Sequence, residues 1–206
     1  MPRTKLQAVR IGKVYPGTVA STGRAVRAMI EKRFGGKAQV AVIAFISHLP
    51  EQGGARLKGF RDGIAQLPGA QIVVQQDAWL APQAANVVSS ILTAHPDLNI
   101  IWAANEGGTV GAVTAVRNAG KAGQVLVFGT DMSTQLADFL LADDNVLQAV
   151  TGQQPFEIGS LALETAVKAL EGKPVEKKVA LPGILFSREA PEKVKEHRKR
   201  LEALSK

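Results

Sequence analysis

Arg56, Trp79, Asn105, Asp131 and Gln153 are side-chain types that together could hold a polyhydroxylated small molecule. Asn and Gln each offer a donor and an acceptor, a carboxylate accepts from two hydroxyls, and a guanidinium supplies a rigid fork of donors. An indole can lie against the apolar face of a ring whose edge those groups take. Four of the five follow short apolar runs: Asp77-Ala78-Trp79 after Ala70 to Val74, Asn105-Glu106 after Ile100-Ile101-Trp102, Gly129-Thr130-Asp131 after Gln124 to Phe128, and Gln153 after Val146 to Thr151. Arg56 lies one helical turn into the segment after Gln39 to Ile46 and can reach back to the same edge. Singly, Asn105 or Asp131 reads as well as a cap or turn residue; five in series favour one shared rim. Glu106, Thr130 and His48 are further candidates beside it.

Such a rim needs strands whose carboxyl ends share one edge, where open parallel sheets bind their ligands. Gln39 to Ile46 is a near-continuous apolar run, the mark of a strand covered on both faces. Strands beginning near 39, 70, 99, 124 and 146 alternate with helices predicted over Glu51 to Gln66, Ala81 to Ala94, from Thr109, and over Thr134 to Ala142. This spacing specifies an α/β fold, a doubly wound parallel sheet with right-handed crossovers. Upstream, a strand over Ala8 to Val14 ends in the turn Tyr15-Pro16-Gly17, and a helix over Ser21 to Phe34 stops at Gly35-Gly36. Downstream, a helix is expected over Phe156 to Glu171 and a strand over Lys178 to Phe186. The tail from Pro191, with Val194, His197, Leu201 and Leu204 among many charges, reads as a surface helix at a solvated end.

At 206 residues and 46% apolar content the chain can bury one full domain plus a remnant of another. It has no cysteine, so it holds no disulfide and fits cytoplasm and periplasm equally. The first 17 residues lack the apolar core of a secretory signal, and no run approaches the ~18 apolar residues of a membrane span. Net charge is +7, but residues 1–37 carry nine Lys/Arg against Glu31 alone and residues 191–206 carry six against three. Basic ends on an acidic body argue against a nucleic-acid partner. His48, His95 and His197 have no paired nucleophile or metal-ligand spacing, and Gly107-Gly108 with Gly111 lacks the ordered dinucleotide fingerprint. Asp143-Asp144 reads as an exposed turn. No catalytic residue, metal or cofactor is expected, and an α/β enzyme is the weaker alternative.

The segments GGARLKGFRDGI, DAWLAPQAANVVSSILTAHPDLNIIWAANEGGTVGA, VFGTDM and GQQPFEIG, in this order and spacing, resemble the bacterial periplasmic sugar-binding proteins of the ribose and galactose type. That fold is shared with the effector domain of lac-repressor-like regulators. The resemblance runs from about Ala8 to Phe186. It implies a periplasmic, non-enzymatic component of an ABC-type sugar importer that closes two lobes over a monosaccharide or related polyol and presents the closed form to a membrane permease. Arg56 matches the family's ligand arginine, Trp79 its stacking aromatic, Asn105 the asparagine of its Asn-Asp pair, Asp131 its aspartate and Gln153 its glutamine before proline. Glu106 stands where the family has Asp, Thr130 where it has an aromatic, and the Asp-Asn of its first crossover is missing from Tyr15-Pro16-Gly17-Thr18. The effector core of a repressor stays open as the second reading.

The resemblance also implies a division of the chain. Residues 1–15 would end a first lobe and make the first crossover, and residues 16–151 would form the complete second lobe. Residues 152–180 would belong to the first lobe, and residues 181–206 to the return crossover and a basic helix. The start of the first lobe would precede Ala8, so a truncated form is expected. The stripe of Ile158, Leu161 and Ala169 would then lack a sheet to cover, and self-association through it and the strand at Lys178 to Phe186 would follow.

Overall fold

The computed structural model describes residues 10–11, 16–176 and 178–204. Its elements are β1 (Arg10–Ile11), α1 (Pro16–Phe34), β2 (Ala38–Ala44), α2 (Pro50–Ile64), β3 (Ala70–Asp77), α3 (Ala81–Ala94), β4 (Ile100–Ala103) and α4 (Glu106–Asn118). There follow β5 (Leu126–Thr130), α5 (Thr134–Leu141), β6 (Leu147–Gly152), α6 (Pro155–Leu170), β7 (Lys178–Val179), β8 (Ile184–Ser187) and α7 (Pro191–Leu204). Six strands form one sheet in the order β3-β2-β4-β5-β6-β8. The first five are parallel, as the alternation of strands and helices requires, and β8 joins β6 antiparallel.

The apolar runs are continuous because both sheet faces are covered. Successive side chains of a strand point to opposite faces. Val40, Val42, Ala44, Ile100, Trp102, Leu126 and Phe128 therefore meet α1 and α2 through Val26, Ile30, Leu57 and Phe60. Their neighbours Ala41, Ile43, Ile101, Ala103 and Val127 meet α3, α4 and α5 through Val88, Ala112, Val116 and Leu136. Trp102 is wholly buried and stacks on Phe60, ring centroids 4.3 Å apart. β3 lies at the sheet edge and is covered less, which its alternation of half-buried and exposed residues records.

Four expectations are corrected, and a fifth falls largely outside the described residues. Pro16-Gly17 opens α1 rather than ending a strand, because the first helical turn has no use for the N–H that proline lacks. Of the strand expected over Ala8 to Val14, Arg10–Ile11 are described and pair in parallel with β7; its other residues, and Tyr15, lie outside the described residues. The single strand expected over Lys178 to Phe186 is two strands in two sheets, since Pro182-Gly183 interrupts it before β8. The tail is packed, not merely solvated: Val194 is fully buried, His197 lies 4.5 Å from the Phe186 ring, and Arg198 binds Asp138 of α5 at 2.7 Å. On α6 the half-covered side is Ile158, Leu161 and Ala169, and the side left open is Phe156, Leu163, Val167 and Leu170.

Asp144 is likewise more than a turn residue. It pairs with Arg117, lies 4.0 Å from Arg188 and accepts the Val146 N–H at 3.1 Å. Burial pushes its pKa up, but the Arg117 hydrogen bond, the Val146 N–H and the two guanidinium charges outweigh it and hold the carboxyl below its ordinary 3.8. A group depressed on folding contributes stability that is full above its unfolded pKa and is lost as pH falls through the folded one. Asp144→Asn is expected to destabilise the chain at pH 7 and to flatten the acid limb of its stability curve below about pH 4. Urea melts at pH 3 to 7 check this; two acid limbs of equal slope would remove Asp144 as their source.

Candidate functional site

The carboxyl ends of β2, β4 and β5, with the loops leading into α2, α3, α4 and α5, line an open pocket of about 420 Å³. Its walls include Phe45, Gln52, Arg56, Trp79, Asn105, Glu106, Asp131 and Gln135. Arg56 sits in the second turn of α2, which leaves Leu49 with Pro50 at its start. The residue is 3% exposed, and its guanidinium makes a two-pronged ion pair with Asp131, Nη1 to Oδ2 at 3.1 Å and Nη2 to Oδ1 at 3.0 Å. Nη1 also donates to the Ala104 carbonyl at 2.6 Å, and the guanidinium lies 5.4 Å from the Phe45 ring centre. A buried guanidinium needs this fork-to-fork match to offset its desolvation.

Asp131 reaches back to Arg56 because it follows β5 in the left-handed region, φ +75°, a conformation that Asp adopts more readily than most residues. Four donors converge on its carboxylate: both Arg56 prongs, the Gln153 Nε2 at 2.7 Å and the Glu106 backbone N–H at 3.2 Å. Two carboxylate oxygens offer about four lone-pair directions. Asp131, expected to accept from ligand hydroxyls, is thus already occupied as the clamp of Arg56. Gln153, expected in the rim, stands behind Asp131 and outside the pocket lining.

Asn105 is both a cap and a tether. Its extended backbone, φ −150° and ψ 172°, opens α4, and its Oδ1 accepts from Gly108 N–H at 3.1 Å. Its Nδ2 donates to the Trp79 carbonyl at 2.9 Å, which ties the loop before α3 to the start of α4. The Trp79 ring is half-buried, edge-on to Phe45 at 5.0 Å and stacked with His48 at 5.7 Å. His48 therefore backs the indole from an exposed position and is not among the pocket residues. Thr130 is corrected as a rim candidate: it is 1% exposed and donates its hydroxyl to the Ala103 carbonyl at 3.1 Å.

The loops carrying His48 and Trp79 are joined by Asp77, which accepts the Ser47 N–H at 2.5 Å. Burial raises the Asp77 pKa, but the Ser47 N–H and hydroxyl, the Ile46 N–H and the charge of His48 carry it below its ordinary 3.8. The reading from sequence missed Phe45, Gln52 and Gln135. Gln52 stands four residues before Arg56, hence on the same helix face, and Gln135 stands four after Asp131 at the start of α5. Among the described residues, no three His, Asp or Glu side chains gather closely enough to hold a metal ion, and no helix is long and apolar enough to cross a membrane.

A pocket at the carboxyl edge of a parallel sheet, with a buried guanidinium clamp and an indole wall, suits a small polar ligand with one apolar face. Known proteins carry the same frame. The ABC transporter periplasmic-binding protein YphF of Escherichia coli is 35% identical over 135 residues, 65% of this chain and 41% of that protein. The D-ribose/D-allose-binding protein of Pseudomonas aeruginosa is 35% identical over 173 residues, 83% of this chain and 53% of that protein. The chain thus spans about half the length of the curated relatives it matches. A periplasmic solute binding protein of an ABC transporter from Actinobacillus succinogenes, solved with D-allose, superposes with a TM-score of 0.82 at 30% identity, covering 91% of this chain and 65% of that one. The family model described as periplasmic binding protein domain matches residues 18–174, and the chain belongs to that family.

Proposed function

We propose that this chain binds a monosaccharide or related polyol, as part of the periplasmic solute-binding component of an ABC-type sugar importer. The observation that carries this reading is the guanidinium clamp: Arg56, almost wholly buried and held by Asp131, faces the same pocket as the half-buried Trp79 ring. Relatives named for D-ribose and D-allose, and a neighbour solved with D-allose, support the ligand class. The sheet with α1 to α5 is the ligand-binding lobe, and α6 with the β1–β7 pair is part of an opposing lobe. Two lobes closing on one ligand give the differential affinity that shifts the open–closed population, and the closed form is what a membrane permease reads.

Titration calorimetry and thermal shift of this chain against D-ribose, D-allose, myo-inositol and a set of amino acids test the reading. The pocket at the sheet edge is expected to bind a sugar with a dissociation constant on the order of millimolar. A response to amino acids and to no sugar would overturn it.

A further inference from the structure

Three charged side chains line the pocket, Arg56, Glu106 and Asp131. Arg56 and Asp131 cancel each other as an ion pair, and the four acceptor directions of Asp131 are spent on Arg56, Gln153 and the Glu106 N–H. Arg56 spends three of its five N–H donors within the protein, leaving one on Nη2 for a ligand and an Nε that is buried without a partner, but its charge is already matched by Asp131. The carboxylate of Glu106 is different. It is exposed at the pocket wall, on the first residue of α4, while its own backbone N–H is pinned to Asp131. The pocket therefore has one uncompensated charge, and it is negative.

We infer that Glu106 is the specificity-determining carboxylate of this pocket, accepting a hydroxyl or ammonium proton from the ligand and turning the site against anionic sugars. This rests on the sugar-binding reading above and deepens it: the ligand class is a neutral or amino sugar, not a uronate or sugar phosphate. Charge-assisted acceptance by a carboxylate is stronger than by a neutral amide, and a second carboxylate brought beside Glu106 meets like-charge repulsion. A glutamate in a first helical turn also favours the helix dipole, but that role fixes only stability and leaves ligand preference unmoved.

Glu106→Gln keeps the shape and removes the charge. Wild type and E106Q are titrated with D-allose, D-glucosamine and D-glucuronate at low and high salt, with thermal melts to confirm equal folding. Wild type is expected to bind D-glucosamine and D-allose and to reject D-glucuronate by at least about tenfold. E106Q is expected to lose about tenfold on D-glucosamine, less on D-allose, and to narrow the rejection of D-glucuronate. Unchanged affinities for all three in E106Q would leave Glu106 a helix-end residue and overturn this inference alone. Wild type that binds none of the three, and no sugar of the wider screen, would overturn the sugar reading and this inference with it.

Discussion

Replacing Arg56 by Ala is expected to weaken ligand binding and to destabilise the fold, the second effect being the one that burial reveals. The side chain is 4% exposed and its partner Asp131 remains after the change, with two of its four donors gone. Removing one member of a buried, hydrogen-bonded ion pair leaves the other uncompensated, at a cost of roughly 2–4 kcal/mol. For a chain of this size each kcal/mol moves the melting temperature by roughly 2–4 °C. Binding should fall about 10- to 150-fold, the value of a lost charge-assisted hydrogen bond. The double variant R56A/D131N separates the two effects: with no stranded carboxylate, melting should recover in part, while binding stays lost. Arg56→Lys keeps the charge but not the fork, and should bind closer to R56A than to wild type. Thermal melts and calorimetry on these variants decide the matter; an R56A chain that melts and binds as wild type would show that the clamp organises nothing.

How much of this is legible in the sequence divides along a physical line. The strands β2, β4, β5 and β6 announce themselves because both faces are covered, so apolar residues run without interruption from Val40 to Phe45 or from Ile100 to Ala104. The rim positions of Arg56, Trp79, Asn105 and Asp131 follow from where those runs stop. What pattern cannot carry is the spending of polar atoms between segments distant in sequence. Asn105 and Trp79 are 26 residues apart and Arg56 and Asp131 are 75 apart, so their hydrogen bonds exist only after the sheet has ordered its strands. The types therefore point to the site, while the division of labour within it comes from topology. Asn105 becomes cap and tether, Asp131 becomes a clamp, and Gln153 backs the clamp. The same holds for α7, whose charge-rich sequence conceals Val194 and His197 packed over β8 and α5.

Gly107→Ala is expected to disturb both the fold and the indole wall, through a single methyl group. A Cβ on Gly107 would stand 2.3 Å from the Trp79 carbonyl oxygen, 3.2 Å from the Leu80 Cα and 3.3 Å from the Ala81 nitrogen, all of them backbone. Backbone cannot swing aside as a side-chain tip can, so α3 and α4 must separate. The Trp79 carbonyl would then leave the Asn105 amide that now holds it at 2.9 Å. Helix propensity alone favours Ala over Gly by up to about 1 kcal/mol. Overpacking at about 1–3 kcal/mol, with about 1 kcal/mol for the lost hydrogen bond, outweighs that gain. The net cost should be roughly 1–3 kcal/mol, with Trp79 released from its place against Phe45. Gly54→Ala is the control: on α2, close to Arg56, it has nothing within 4 Å of the added methyl and should be stabilised by about 0.5–1 kcal/mol. Denaturation midpoints measure the energies, and tryptophan emission reports the half-buried Trp79 ring, because the second indole, Trp102, is fully buried. G107A that unfolds at the wild-type midpoint with unshifted emission would mean that α3 and α4 do not meet as closely at Trp79 as this architecture requires.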